Sequence, residues 1–108
     1  MKKKFELIKK NYKEELYNIK YKWNKTELDI RVGMDYHTIR RYWTVYVRVI
    51  GPVFGVNIDK SIVNVDTRKE AREIAVKWMS KIEKDPESLI ERIDDFHKKG
   101  ILKKSLYE

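Results

Sequence analysis

The run of residues 42–49 alternates strictly between two kinds of side chain, and it reads Tyr42-Trp43-Thr44-Val45-Tyr46-Val47-Arg48-Val49. Successive side chains of a strand point to opposite faces, so this alternation predicts a half-buried strand over about residues 40–50. Trp43 and the three valines are expected in the core. The other face carries Tyr42, Tyr46 and Arg48, and we expect a helix to cover it and make the tyrosines core residues. If it is open instead, those three residues could stack bases or contact a protein.

The segments on either side of this strand predict the rest of an antiparallel sheet. Upstream, apolar residues at 28, 30 and 32 alternate with charged residues, which indicates another strand, and Gly33–His37 is predicted to be the turn. Downstream, Gly51-Pro52 predicts a turn, followed by a strand from Val53 to Ile58. Residues 62–65 are either a fourth strand or part of a long loop.

Three helices are predicted around these strands. In residues 3–20, the apolar residues Phe5, Ile8, Tyr12, Leu16 and Ile19 recur at helical spacing. Residues 67–70 have the form of a capping box at the start of a second helix, whose apolar face falls at positions 71, 74, 75, 78 and 82. Asp85 and a following proline predict the start of a third helix, with Leu89, Ile93 and Phe96 inward and Gly100 at its end. The sequence thus predicts one α+β domain over residues 1–108, ordered N-terminal helix, three- or four-stranded antiparallel sheet, two C-terminal helices.

The chain has 108 residues, no cysteine and a net charge of +8. Residues 1–25 hold nine lysines against three glutamates, so most of the excess lies in the N-terminal quarter. A concentrated positive field favours polyanionic partners, although a general lysine bias would produce the same composition. No run of about 18 apolar residues occurs, so no membrane-spanning helix is predicted and a soluble, cytoplasmic protein is expected. Phe5, Ile8 and Leu16 among lysines would permit residues 1–20 to lie on an anionic membrane, but packing of this stripe on the sheet is the simpler expectation, so no membrane partner is predicted.

The residue types needed for catalysis or metal binding are not assembled in the sequence. Without cysteine and with only His37 and His97, the chain lacks the four ligands of a zinc site. No glycine-rich phosphate loop is present. Neighbouring residues of the cluster Asp94-Asp95-Phe96-His97 would point about 100° apart on a helix and could not share an ion. We therefore predict a protein that is not an enzyme, with no catalytic residue, no metal site and no cofactor.

Three segments together resemble the double-stranded RNA-binding domain, which has the order helix, three strands, helix. Residues 42–49 look like that family's second strand, residues 53–56 like its third, and residues 67–77 like the start of its last helix. The resemblance covers about residues 28–83 and implies phosphate contacts from Arg68, Lys69 and Arg72 and a minor-groove contact from His37. The strand followed by Thr-x-x-Glu-Ala also looks like the small three-stranded DNA-binding domains at integrase N-termini.

Two functions follow as hypotheses. The first is binding of nucleic acid, preferably a duplex, through phosphates, with Lys9, Lys13, Arg40 and Arg41 added to the contacts above. The second is a small phage or mobile-element inhibitor or adaptor, for example of the anti-CRISPR type, that contacts a protein through Tyr42, Tyr46 and Arg48. The sequence leaves the oligomeric state open.

Overall fold

Six strands form one antiparallel sheet in the computed structural model, which describes residues 4–23, 25–52, 55–57 and 62–91. The strands are β1 (Glu6–Lys10), β2 (Glu14–Trp23), β3 (Thr26–His37), β4 (Tyr42–Ile50), β5 (Gly55–Asn57) and β6 (Val63–Val65). Helix α1 (Arg68–Lys84) follows, and residues 86–91 are also helical. The order is therefore strands first and helices last.

The first four strands form a simple meander, and the last two share one position in the sheet. Both β5 and β6 pair antiparallel with the outer side of β4, beside residues 48–50 and 43–45 respectively. Residues 55–57 and 63–65 therefore form two short strands, one after the other, along this edge.

The predicted N-terminal helix is wrong, because residues 6–23 form the β1–β2 hairpin. In β2, the residues Tyr17, Ile19 and Tyr21 point to one face and alternate with polar residues, which is the period of a strand. Aromatic residues also favour strands over helices. The turn is fixed by Asn11, whose Oδ1 accepts hydrogen bonds from the backbone N–H groups of Lys13 and Glu14 at 2.9 and 3.1 Å. The apolar residues that suggested a helical face thus lie on both sides of a turn.

The predicted turn at Gly33–His37 is also wrong, since these residues belong to β3 and the chain reverses at residues 38–41. Gly33 has a packing role in the middle of the strand. It lies directly opposite Tyr46 of β4, and a Cβ atom at this position would overlap the tyrosine ring. Glycine is needed here for close approach and not for a turn.

The core lies on one face of the sheet, beneath α1. Residues 28, 30, 32 and 34 of β3 and Trp43, Val45, Val47 and Val49 of β4 are buried against Ala71, Ala75 and Ile82 of the helix. The predicted core face of β4 is therefore confirmed. Residues 86–91 pack on the same side through Leu89 and Ile90. Neither described helical segment covers Tyr42 and Tyr46 as expected, because α1 and residues 86–91 both lie on the opposite face.

The helix starts agree with the sequence pattern. Thr67 is the N-cap of α1, and its Oγ1 accepts a hydrogen bond from the Glu70 N–H at 3.1 Å. Asp85 similarly accepts from the Ser88 N–H at 3.2 Å. The predictions for Ile93, Phe96, His97, Gly100 and Asp94-Asp95 lie outside the described residues. Among the helices that are described, none has the length and apolar character needed to span a membrane.

Candidate functional site

Three segments that are far apart in the sequence meet at one end of the sheet. In a meander, the β1–β2 and β3–β4 turns lie at the same end, and the antiparallel β6 brings the start of α1 there as well. The Tyr36 N–H donates to the Lys13 carbonyl at 2.7 Å, and Arg68 Nη2 donates to the Asn11 carbonyl at 2.9 Å. We call residues 10–13, 38–41 and 66–72 the basic end.

The two ends of the sheet differ in charge. The basic end holds seven cationic and two acidic residues. At the opposite end, formed by residues 4–5, 20–23, 25–27, 50–52 and 81–91, six cationic residues face five acidic ones. The cationic residues of the basic end are Lys10, Lys13, Arg40, Arg41, Arg68, Lys69 and Arg72. Glu15 lies just outside these ranges but pairs with Arg68 and Arg72, and counting it leaves an excess of four positive charges at the basic end against one at the opposite end. The positive field of the described residues is therefore concentrated at one end of the fold.

A buried carboxylate holds two of these cations. The side chain of Glu15 is 0% exposed, and its Oε2 accepts from Arg68 Nε at 2.8 Å and from Arg72 Nη2 at 2.6 Å. Its Oε1 accepts from the Tyr17 hydroxyl at 2.8 Å. Burial raises the pKa of Glu15, but the hydrogen bonds from Arg72, Tyr17 and Arg68 outweigh it and lower the pKa to about 2. Arg68 and Arg72, both predicted phosphate ligands, are thus committed to joining α1 to β2.

The other cations of the basic end point into solvent. Arg40, Arg41 and Lys69 are exposed, and none of them forms an ion pair with a described residue. Arg41 has a φ of 58° and donates its N–H to the His37 carbonyl at 2.7 Å, which closes the β3–β4 turn. The ammonium of Lys13 lies 5.3 Å from the centre of the Tyr12 ring. These side chains could reach an anion without breaking an internal ion pair.

The remaining two predicted contacts, His37 and Lys9, lie beside the basic end and already have partners. The hydroxyl of Thr44 donates to Asn64 Oδ1 at 2.7 Å, so the His37 Nε2, 2.9 Å away, donates its proton to Thr44 Oγ1. Lys9 Nζ lies 2.8 Å from Glu14 Oε1. This hydrogen-bonded pair raises the pKa of Lys9 and lowers that of Glu14.

The face of the sheet opposite α1, which we call the open face, has a balanced charge. The register of the strands puts five cationic and five acidic side chains on it. Near its centre Tyr46 lies over Gly33, and burial followed by the nearby Asp35 charge raises the Tyr46 pKa. Arg31 and Arg48 face each other across β3 and β4. Tyr42 lies at the border of this face, in edge-to-face contact with His37 at 4.9 Å between ring centres.

Sequence reasoning missed Glu15, the residue that joins α1 to the sheet at this end. The alternation of Tyr17, Ile19, Tyr21 and Trp23 was the available signal, because the same period puts Glu15 on the buried face. Within the described ranges, no group of three or more histidine, aspartate or glutamate side chains is arranged to hold a metal ion.

Comparison with protein-family models, with curated proteins and with solved structures finds no match to this chain.

Proposed function

We propose that this protein binds the phosphate backbone of duplex nucleic acid through the basic end. The observation that supports this most strongly is the meeting of two hairpin turns and a helix start at one end, with seven cationic residues against two acidic ones. Lys13, Arg40, Arg41 and Lys69 are the contacts we propose. Such phosphate contacts supply affinity and carry no sequence information directly.

Only the cations of the basic end that are not paired with Glu15 are proposed to contact phosphates. Arg68 and Arg72 keep Glu15 neutralised inside the fold, so their role is to position the start of α1. The exposed arginines of the β3–β4 turn can offer five N–H donors each to phosphate oxygens. The backbone N–H groups at the start of α1 add a favourable dipole, although Asp66 and Glu70 oppose it.

The test is a titration of labelled 20-mer duplex RNA, duplex DNA and single-stranded RNA, followed by fluorescence anisotropy at low and near-physiological salt. We expect a duplex to bind best, with log affinity falling linearly as log salt concentration rises. Arg40→Gln with Arg41→Gln should weaken binding about tenfold or more and reduce the salt slope by about 1.8, since each lost duplex contact is worth about 0.9.

The matched control is Lys22→Gln with Lys25→Gln at the opposite end. This pair removes the same two positive charges, but beside the β2–β3 connection. It also matches the backbone, because Lys25 has a φ of 66° and Arg41 in the test pair has a φ of 58°. The control should leave affinity within about twofold and the slope unchanged. Equal losses in both pairs would mean that only the net charge matters, and no binding at either salt concentration would refute the proposal.

The open face supports a second candidate, a protein-binding inhibitor or adaptor. Its balanced charge suits a protein surface better than a polyanion, and it carries Tyr42, Tyr46, Arg31 and Arg48, which are residue types that dominate interface energies. The discriminating variant is Tyr46→Ala. It should abolish capture of a protein partner in a pull-down while leaving duplex affinity unchanged.

A further inference from the structure

The β3–β4 turn departs from the usual composition of a tight turn at every position. Residues 38–41 read Thr38-Ile39-Arg40-Arg41 and include none of the glycine, asparagine, aspartate or proline that turns favour. Arg41 adopts the left-handed region that a non-glycine residue seldom occupies. Ile39, a β-branched residue, is 94% exposed at the tip. Such departures without a local stabilising gain are expected where a segment serves function.

A second apolar tip lies at the same end. Tyr12 in the β1–β2 turn is 74% exposed, whereas the exposed large hydrophobic residues of the described chain other than Tyr12 and Ile39 are at most 49% exposed. Cations flank both tips: Lys10 and Lys13 beside Tyr12, and Arg40 and Arg41 beside Ile39. Each tip therefore combines an apolar side chain with the charges that attract a phosphate backbone.

The distance between the tips suits stacked base pairs. The two hairpins occupy neighbouring pairs of strands, so their turns are two strand spacings apart, or about 10 Å. Base pairs succeed each other every 3.4 Å or so along a duplex, and about three steps therefore separate the tips.

We propose that Ile39 enters the stack of a duplex as an apolar wedge between neighbouring base pairs. Arg40 and Arg41 hold the flanking phosphates, and Tyr12 contacts a base about three steps away. This inference rests on the proposed duplex binding at the basic end. A wedge of this kind partially unstacks one step and kinks the duplex, and the attraction between the flanking cations and the phosphates offsets the cost.

Duplex nucleic acid explains the tips better than other partners do. Two isolated apolar side chains offer far less than the roughly 800 Å² that each partner contributes to a stable protein interface. Membrane affinity also grows with the apolar area that is buried, and the turn residues that flank the tips, at positions 10, 11, 13, 38, 40 and 41, are charged or polar.

The experiment uses whichever 20-mer duplex, RNA or DNA, binds more tightly, in a fully matched form and with one central mismatch beside 2-aminopurine. An unpaired step costs less to open, so the wild-type protein should bind the mismatched duplex about tenfold more tightly. The fluorescence of 2-aminopurine should rise on binding because the base unstacks.

The decisive variant is Ile39→Ser, which alters a fully solvated side chain and leaves the fold intact. It should lose the mismatch preference and the fluorescence rise while keeping the salt slope of the matched duplex. Ile39→Phe, which keeps a wedge, should retain both effects. Val76→Ser, which removes a 48% exposed apolar side chain from the outer side of α1, should change neither.

The outcomes separate the wedge from the proposed function. Salt-dependent duplex binding without mismatch preference or fluorescence change would overturn the wedge and leave phosphate binding in place. No duplex binding would overturn the proposed function itself. Binding to phosphatidylserine vesicles that depends on Ile39, with no duplex binding, would assign the tips to a membrane surface and overturn both.

Discussion

The two ends of this sheet contain almost the same number of cationic residues, seven and six, but two acidic residues against five. In the sequence most of the positive excess belongs to residues 1–25, yet the hairpin distributes the described lysines of this segment between both ends. Lys10 and Lys13 lie at the basic end, whereas Lys4, Lys20 and Lys22 lie towards the other. The basic end is therefore positive mainly because the fold places few acidic residues there, and not because it collects more cations.

The ends also differ in how the helix is attached to the sheet. At the basic end the buried Glu15 binds two arginines of α1. At the opposite end the half-buried Glu83 accepts one hydrogen bond, from the Phe5 N–H at 2.8 Å. A buried carboxylate is costly to leave unpaired, so the first attachment should be much more sensitive to mutation than the second.

The largest expected effect is on stability. Glu15→Ala removes the carboxylate that both arginines share, and we expect the free energy of unfolding to fall by about 3 kcal/mol. Glu83→Ala removes a single hydrogen bond and should cost about 1 kcal/mol. Urea denaturation of both variants measures the difference. Equal losses would show that the two ends are attached equally strongly.

The second effect is a loss of stability in acid, caused by protonation of Glu15 at the basic end. The pKa of Glu15 in the folded protein is about 2, below its ordinary value of 4.5. Because the pKa is lowered in the folded state, ionised Glu15 stabilises the fold, and this stabilisation is complete above pH 4.5. It is lost as the pH falls from 4.5 towards 2 and the carboxylate becomes protonated. The loss amounts to about 3 kcal/mol. Urea midpoints measured between pH 7 and pH 2 should show this decline in the wild-type protein.

The control for the acid effect is Glu15→Gln, whose side chain does not titrate. This variant should be less stable at pH 7 and show a flatter pH profile between 4.5 and 2, approaching the wild-type stability at the acid limit. Parallel profiles would mean that other carboxyl groups cause the acid sensitivity.

The smallest effect compares two residues with positive φ. Arg41→Gly at the basic end and Lys25→Gly at the other should each relieve backbone strain and change stability by about +1 kcal/mol or less, because the greater freedom of unfolded glycine offsets part of the gain. The two changes in urea midpoint should therefore be similar. Only Arg41→Gly should weaken duplex binding, and an equal loss with Lys25→Gly would contradict the proposed asymmetry.

The accuracy of the sequence predictions follows the strength of each local signal. The core face of β4 is predicted by the alternation of its own residues, and the cap at Thr67 by a hydrogen bond to a residue three positions away; both are confirmed. Residues 5–19 offered apolar side chains compatible with a helix, and pairing with β3 decided for a strand. Gly33 was wrongly predicted to lie in a turn. Glycine is needed there because the ring of Tyr46 on the neighbouring strand leaves no room for a Cβ atom, and this tertiary contact is invisible in the local sequence.

The candidate site divides in the same way. The resemblance to the double-stranded RNA-binding domain implies phosphate contacts from Arg68, Lys69 and Arg72, and Arg40 and Arg41 are predicted contacts because they are cations of the hairpin. Sequence could not separate the two arginines that bind Glu15 from the cations that face solvent, because that carboxylate lies more than fifty residues away.

The buried face of β4 and the start of α1 can be predicted from the sequence, since they depend on periodicity and local hydrogen bonds, and the charged residues follow from the composition. Tertiary contacts are needed to establish the β1–β2 hairpin over residues 6–23, the face of the sheet that neither described helical segment covers, and the solvent-facing cations at one end. Strand pairing joins residues from distant parts of the chain, and its free energy comes from contacts that no single segment contains.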